Sequence, residues 1–162
     1  MVPSTKQLIL GASALVVGSL VYVLDRPASS VYFVPEALSL YSPSASVFGP
    51  MGNHLPTFFH VVAFALLTSG AAGCRSLVCL AVAVVGWTLV DGLFELAQYD
   101  AVAESLVRHI PTWFQHVPVL DNTRAYLLRG EFDPRDLASI AVGGLSAFAL
   151  GWWTLRVPRH AP

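Results

Sequence analysis

Charge is what this sequence has least of. Only 12% of its 162 residues are Asp, Glu, Lys or Arg, against about 25% in an ordinary soluble domain. That is too little charge to coat a soluble surface, and a mean hydropathy of +0.63 points the same way. Nine Lys and Arg face ten Asp and Glu, and the basic residues are scattered. No basic face exists for a nucleic acid. Cysteine is nearly absent too: Cys74 and Cys79 are the only two. Their spacing is not C-x-x-C and no histidine follows, which excludes an attached c-type haem. Five apart on a helix they point in different directions, so both are expected to be reduced and structural. Fingerprints of the G-x-S-x-G, P-loop, H-E-x-x-H and dinucleotide types are missing. One histidine well inside a span, His60, cannot supply both axial ligands of a b-type haem. His109 and His116 flank Pro111 in a connection and make a poor metal pair. Neither cofactor nor metal is expected.

What the chain has instead is apolar runs. The first, 7–24, lies between Lys6 and Asp25 and reads as a retained span. The competing reading is a signal peptide, but the run is longer than a usual h-region and no clear A-x-A site follows. Gly11, Ala14 and Gly18 give it a small-residue face. A loop rich in Pro, Ser and Tyr follows, with Val31 to Val34 expected at the membrane interface. The second and third spans, 55–72 and 76–98, are separated by a turn at Gly73-Cys74-Arg75 and form an antiparallel hairpin. Residues 99–132 carry too many charges to cross. Within them, 101–110 reads as an amphipathic helix ended by Pro111, Trp113, Phe114 and Val117 as interfacial anchors, and Asp121 and Gly130 as the two ends of another short helix. The fourth span, 136–157, is announced by Asp133 as N-cap, Pro134 at the first helical position and Asp136 at the third. Ser139, Gly143, Ala147 and Gly151 form a stripe that lets another helix approach closely. Trp152 and Trp153 mark the far interface.

The expected fold is therefore all-α: one integral membrane four-helix bundle with an interfacial amphipathic segment between the third and fourth spans. The lipid bilayer is its surrounding partner. Four spans put both termini on one side, with Lys6, Arg75, Arg156 and Arg159. The other side holds Arg26, Arg108, Arg124, Arg129 and Arg135. The count is a near tie; the tight turn and the basic tail favour cytoplasmic termini in a bacterial inner membrane.

One stretch breaks the apolar pattern. Thr88, Asp91, Glu95 and Gln98 share a face of the third span. A charge near the bilayer centre costs about 2.5–3.5 kcal/mol on insertion scales. Such a stripe either faces a polar site, or the span ends early and the carboxylates meet arginines at headgroup level. His60, Phe64 and Thr68 share a face of the second span. Across the hairpin His60 is expected at the depth of Glu95 and Gln98, where carboxylate and imidazole form an acid/base unit. The alternative is an imidazole bonded to a neighbouring helix. Arg129 is a candidate counter-ion for Glu95, and Asp136 stands at the same mouth, although capping alone explains it.

A histidine opening one span, E-x-x-Q closing the next and an acid starting a glycine-containing last span resemble the VanZ-like membrane proteins. The residues that carry this are His60 in Thr57-Phe58-Phe59-His60-Val61-Val62-Ala63-Phe64, Glu95 with Gln98, and Asp136 followed by Gly143, over roughly 54–153. Pro56-Thr57 replaces the family's Asp-Lys, Phe64 its tyrosine and Ile140 its asparagine. The resemblance implies a multi-span fold and an envelope location. Two functions follow as expectations. One is a polar site of His60, Glu95 and Gln98, with Asp91 beside them, that binds or acts on an envelope lipid or lipid-linked precursor. The other is a non-enzymatic accessory subunit docking on a larger membrane complex through the small-residue stripe and aromatic loop.

Overall fold

The computed structural model describes residues 4–27, 31, 36–117 and 120–156. Among them the regular structure is entirely helical. Helix α1 spans Thr5–Asp25, α2 Leu55–Ala71, α3 Leu77–Leu96, α4 Asp100–His109, α5 Thr123–Arg129 and α6 Pro134–Arg156. Helices α1, α3 and α6 are each long and apolar enough to cross a membrane. The second expected span is shorter than expected. With 17 residues, α2 reaches about 25 Å at ~1.5 Å per residue, short of a hydrocarbon core of about 30 Å.

Local chemistry sets both ends of α2. Pro56 falls in its first turn, where a missing N–H costs nothing. At the other end Gly73 takes φ 62°, and its N–H donates to Gly70 O while that of Cys74 donates to Ser69 O. That pattern is a Schellman motif. Ser76 then caps α3, its hydroxyl accepting from Cys79 N at 3.2 Å. The two caps fold the turn so tightly that Cys74 and Cys79 have Cα atoms 5.5 Å apart and are joined by a disulfide. This corrects the expectation of reduced cysteines. Only Cys79 is helical; Cys74 lies beyond the end of α2, so the helical-wheel argument does not apply to the pair.

Helix α2 packs against α1, α3 and α6, and α3 also packs against α6. The centre of the molecule is therefore α2, whose Val61, Val62, Ala63, Ala65 and Leu66 are buried. Close approach requires glycine at the neighbours. A Cβ at Gly11 of α1 would lie 2.9 Å from Ala63 O, and one at Gly143 of α6 would lie 2.8 Å from Phe58 O. The small-residue stripe of the last span is thus filled by the chain's own helices, with Gly151 against Leu80 of α3. Val78, Val82, Val85, Leu89 and Leu93 form an exposed apolar face on α3.

A buried polar tie joins three helices near the disulfide. Gln7, fully buried, donates to Thr154 Oγ1 at 3.0 Å and accepts from Ser69 Oγ at 3.3 Å. In the sequence Gln7 merely opens an apolar run. At the opposite end, Asp25 accepts from Val47 N, Phe48 N and Ser46 Oγ and so folds the first long loop back onto α1. Val31 is buried; Tyr32, Phe33 and Val34 of the expected interfacial patch lie outside the described residues. Helix α4 and the Asp133 cap match expectation, Asp133 Oδ1 accepting from Arg135 N. Asp121 is not the expected N-cap. It lies inside a 3-10 turn, Leu120–Asn122, and α5 starts after it at Thr123.

Gly143 and Gly86 offer a matched test of this packing. A Cβ at Gly86 meets nothing within 4 Å. Gly143→Ala is expected to push α6 from the α2 backbone and destabilise by about 1–3 kcal/mol. Gly86→Ala is expected to be neutral or slightly stabilising, from helix propensity. Thermal unfolding of both variants in the same detergent checks the contrast.

Candidate functional site

The hairpin register decides which groups meet. His60 lies 11 residues before the end of α2 at Ala71, about 16 Å along the axis at ~1.5 Å per residue. On α3, Asp91 and Glu95 lie 14 and 18 residues beyond Leu77, about 21 and 27 Å. Counted this way His60 falls about one turn short of Asp91 and about two turns short of Glu95, so Asp91 is the nearer carboxylate. The structure bears this out: His60 Nδ1 is 2.7 Å and 2.9 Å from the two Asp91 oxygens. Asp91 is 8% exposed, whereas the His60 side chain is 46% exposed. The expected pairing of His60 with Glu95 is replaced by this one.

Aromatic rings hold the imidazole. Phe64, one turn along α2, lies 4.4 Å from it between ring centroids, and Trp87 of α3 meets it edge-on at 6.0 Å. Trp87 stacks on Phe64 at 4.7 Å and donates its indole N–H to Thr68 Oγ1 at 2.9 Å. The expected face of His60, Phe64 and Thr68 is thus real, and Trp87 runs along it. A carboxylate only accepts, so a hydrogen bond to it needs a proton on Nδ1. In a neutral ring with that tautomer Nε2 is the acceptor.

Glu95 has a different task. It is 4% exposed, and its Oε1 accepts the Asp133 backbone N–H at 2.8 Å, which ties the end of α3 to the start of α6. Its Oε2 lies 3.5 Å from Gln98 Nε2, and the same amide donates to the Tyr126 hydroxyl at 3.2 Å. Burial pushes the Tyr126 phenol up, so it keeps its proton at neutral pH. Arg129 is exposed and, among the described residues, forms no ion pair with Glu95. A backbone amide takes the place expected for that guanidinium.

A second histidine–carboxylate pair stands beside the first. His54 Nδ1 is 2.8 Å from Asp136 Oδ1, and Thr57 Oγ1 lies 3.5 Å from the same oxygen. Ser139 Oγ donates to His54 O at 2.8 Å. Asp136 therefore does more than favour the helix dipole. His54 went unnoticed in the sequence because it precedes its helix; the signal was its place six residues before His60, near the depth of Glu95.

His60 and Asp91, with Glu95, Gln98, Tyr126, Tyr22 and Thr57, line a cavity of about 630 Å³, and the His54–Asp136 pair stands behind Thr57, off its wall. Leu15, Phe59, Phe64, Phe94 and Ile140 make the rest of it apolar. A second, almost wholly apolar groove of about 480 Å³ runs between α3, α4 and α5 and shares Phe94 and Tyr126 with the first. His109 lines that groove and bonds back to Ser105 O. No cluster of three or more His, Cys, Asp or Glu suited to a metal occurs among the described residues. The cavity can offer a headgroup an imidazole, two carboxylates, an amide and phenols, with an apolar surface alongside. Comparisons with protein-family models, curated proteins and solved structures gave no match.

The two carboxylates separate by their tasks. Glu95→Gln keeps an oxygen that can accept from Asp133 N–H, whereas Glu95→Leu leaves that amide bare. Glu95→Leu is expected to destabilise by about 1–3 kcal/mol, the cost of an unsatisfied buried donor, and Glu95→Gln by clearly less. Chemical or thermal unfolding in detergent checks the ranking.

Proposed function

We propose that this is a multi-pass inner-membrane protein of VanZ-like type whose cavity binds the polar head of an envelope lipid or lipid-linked precursor. In this reading α2 serves as the fourth, shortest member of a membrane bundle, shielded from lipid by α1, α3 and α6. The observation that carries the proposal is His60, fixed by both oxygens of Asp91 on the wall of a largely apolar cavity. A charged group buried among apolar helices is a functional candidate by default. Here it orients an imidazole instead of merely capping a helix.

The chemistry follows from the tautomer. With its proton on Nδ1, His60 presents Nε2 as acceptor or base toward a hydroxyl or ammonium. Gln98 and Tyr126 supply further hydrogen bonds at the same wall. The apolar groove sharing Phe94 and Tyr126 suits the chain of the same amphiphile. Four residues that carry the VanZ-like resemblance, His60, Glu95, Gln98 and Asp136, line the cavity or stand beside it, which supports that reading. The accessory-subunit reading has the exposed apolar face of α3 as its support, since the stripe on α6 is occupied from within.

The test is lipid retention by the full chain, purified in mild detergent and read by native mass spectrometry. His60→Gln and Asp91→Asn are expected to lower bound lipid about tenfold each, the loss of one charge-assisted hydrogen bond, with the unfolding midpoint little changed. Retention by both variants equal to that of the parent protein, or none by the parent protein, would sink the proposal.

A further inference from the structure

We infer that the end of the molecule carrying the Cys74–Cys79 disulfide faces an oxidising compartment, so that the cavity opens toward the cytoplasmic leaflet and takes its ligand from there. The ligand part of this inference rests on the ligand binding proposed above; the orientation rests on the membrane placement in that reading and not on the ligand.

Three observations carry it. The first is the bond itself: both cysteines of the chain are in it, and no cysteine is free. Disulfides form and persist on the oxidising side of a membrane and are rare in a reducing cytosol. Forming this one removes two electrons and two protons from a pair of thiols. A thiol-disulfide oxidant of the kind an envelope compartment maintains accepts them. The second is that the bond is local. The Schellman turn and the Ser76 cap bring the two residues together without help from the rest of the fold, so exposure of this turn to oxidant suffices.

The third observation is the distance of this turn from the cavity. The disulfide joins the end of α2 to the start of α3, beside the buried Gln7, Ser69 and Thr154. The cavity is lined by the second half of α1, the end of α3, the first half of α2, Ile140 near the start of α6 and Tyr126 of α5. The two features occupy opposite ends of the same helices. Placing the disulfide outside leaves Arg26, Arg108, Arg124, Arg129 and Arg135 inside, five cations against Lys6, Arg75, Arg156 and Arg159. The positive-inside count is satisfied by that arrangement, if narrowly. The tight turn and basic tail that favoured cytoplasmic termini give way to a covalent bond that a reducing compartment does not keep. Helix α4, with its charged face, then lies on the cytoplasmic surface beside the opening.

Thiol labelling of the full chain in intact cells tests this. Cells are quenched in acid and alkylated with a maleimide before any reductant is added. The expected result is no labelled cysteine. A membrane-impermeant phosphine followed by a membrane-impermeant maleimide is then expected to label both cysteines from outside. In a second arm, Glu104→Cys is placed on a background lacking both native cysteines. Glu104 is on the exposed face of α4, and this variant is expected to react only after the cells are opened. Free thiols in the quenched sample, or Glu104→Cys labelled from outside, would overturn the orientation and leave the lipid-retention result untouched. Conversely, loss of lipid retention would remove the ligand and leave the orientation standing.

Discussion

The backbone of α2 lies against α1 and α6 at distances only glycine allows, and the rest of the molecule depends on that contact. Gly11 meets Ala63 O and Leu67 N, Gly18 meets Phe59 Cβ, and Gly143 meets the Phe58 carbonyl. In an apolar surrounding, helices gain little from burying one another's side chains, so close van der Waals contact holds them. Once the first half of α2 is fixed between α1 and α6, His60 has no freedom to seek another partner. Its ring must meet α3 at the depth of Asp91.

The polar side chains enclosed between the long helices come in hydrogen-bonded sets, each at a different height. Gln7, Ser69 and Thr154 close the end near the disulfide. His60 with Asp91 lies deeper along the cavity wall, while His54 with Asp136 and Glu95 with the Asp133 amide close the other end. A bare polar group among apolar helices costs several kcal/mol, so each set also locks a pair of helices. The pair at His60 differs in exposure: its imidazole is half open to the cavity, whereas Glu95 and Gln7 are enclosed. That difference sets the His60 imidazole apart as the accessible member of these sets, held by a buried Asp91.

Much of the architecture was legible. Apolar runs located the four long helices, and Asp133 with Pro134 located the start of α6 to the residue. Pro111 and the amphipathic pattern located α4. The small-residue stripe was legible as a contact surface, although its partners turned out to be α2 and α3 of the same chain. The residues of the candidate site were legible as a set, because carboxylates and an imidazole stand out against an apolar background. Their pairing was not. An error of one helical turn in relative depth exchanges Asp91 for Glu95 as the neighbour of His60, and hydropathy does not resolve one turn. The cysteines were misread for a related reason: a helical wheel describes residues within one helix, and Cys74 lies outside.

Composition and periodicity by themselves determined that this chain is helical, apolar and marked by one polar stripe. Those properties are sums over local residues, and each helix expresses them without its neighbours. Which imidazole meets which carboxylate, which amide Glu95 serves, and that Cys74 reaches Cys79 were decided only in the tertiary structure. Each depends on turn geometry and on how far one helix slides along another. A glycine in the left-handed region and a carbonyl without room for a Cβ set that slide, and neither is visible as a pattern of apolar and polar letters.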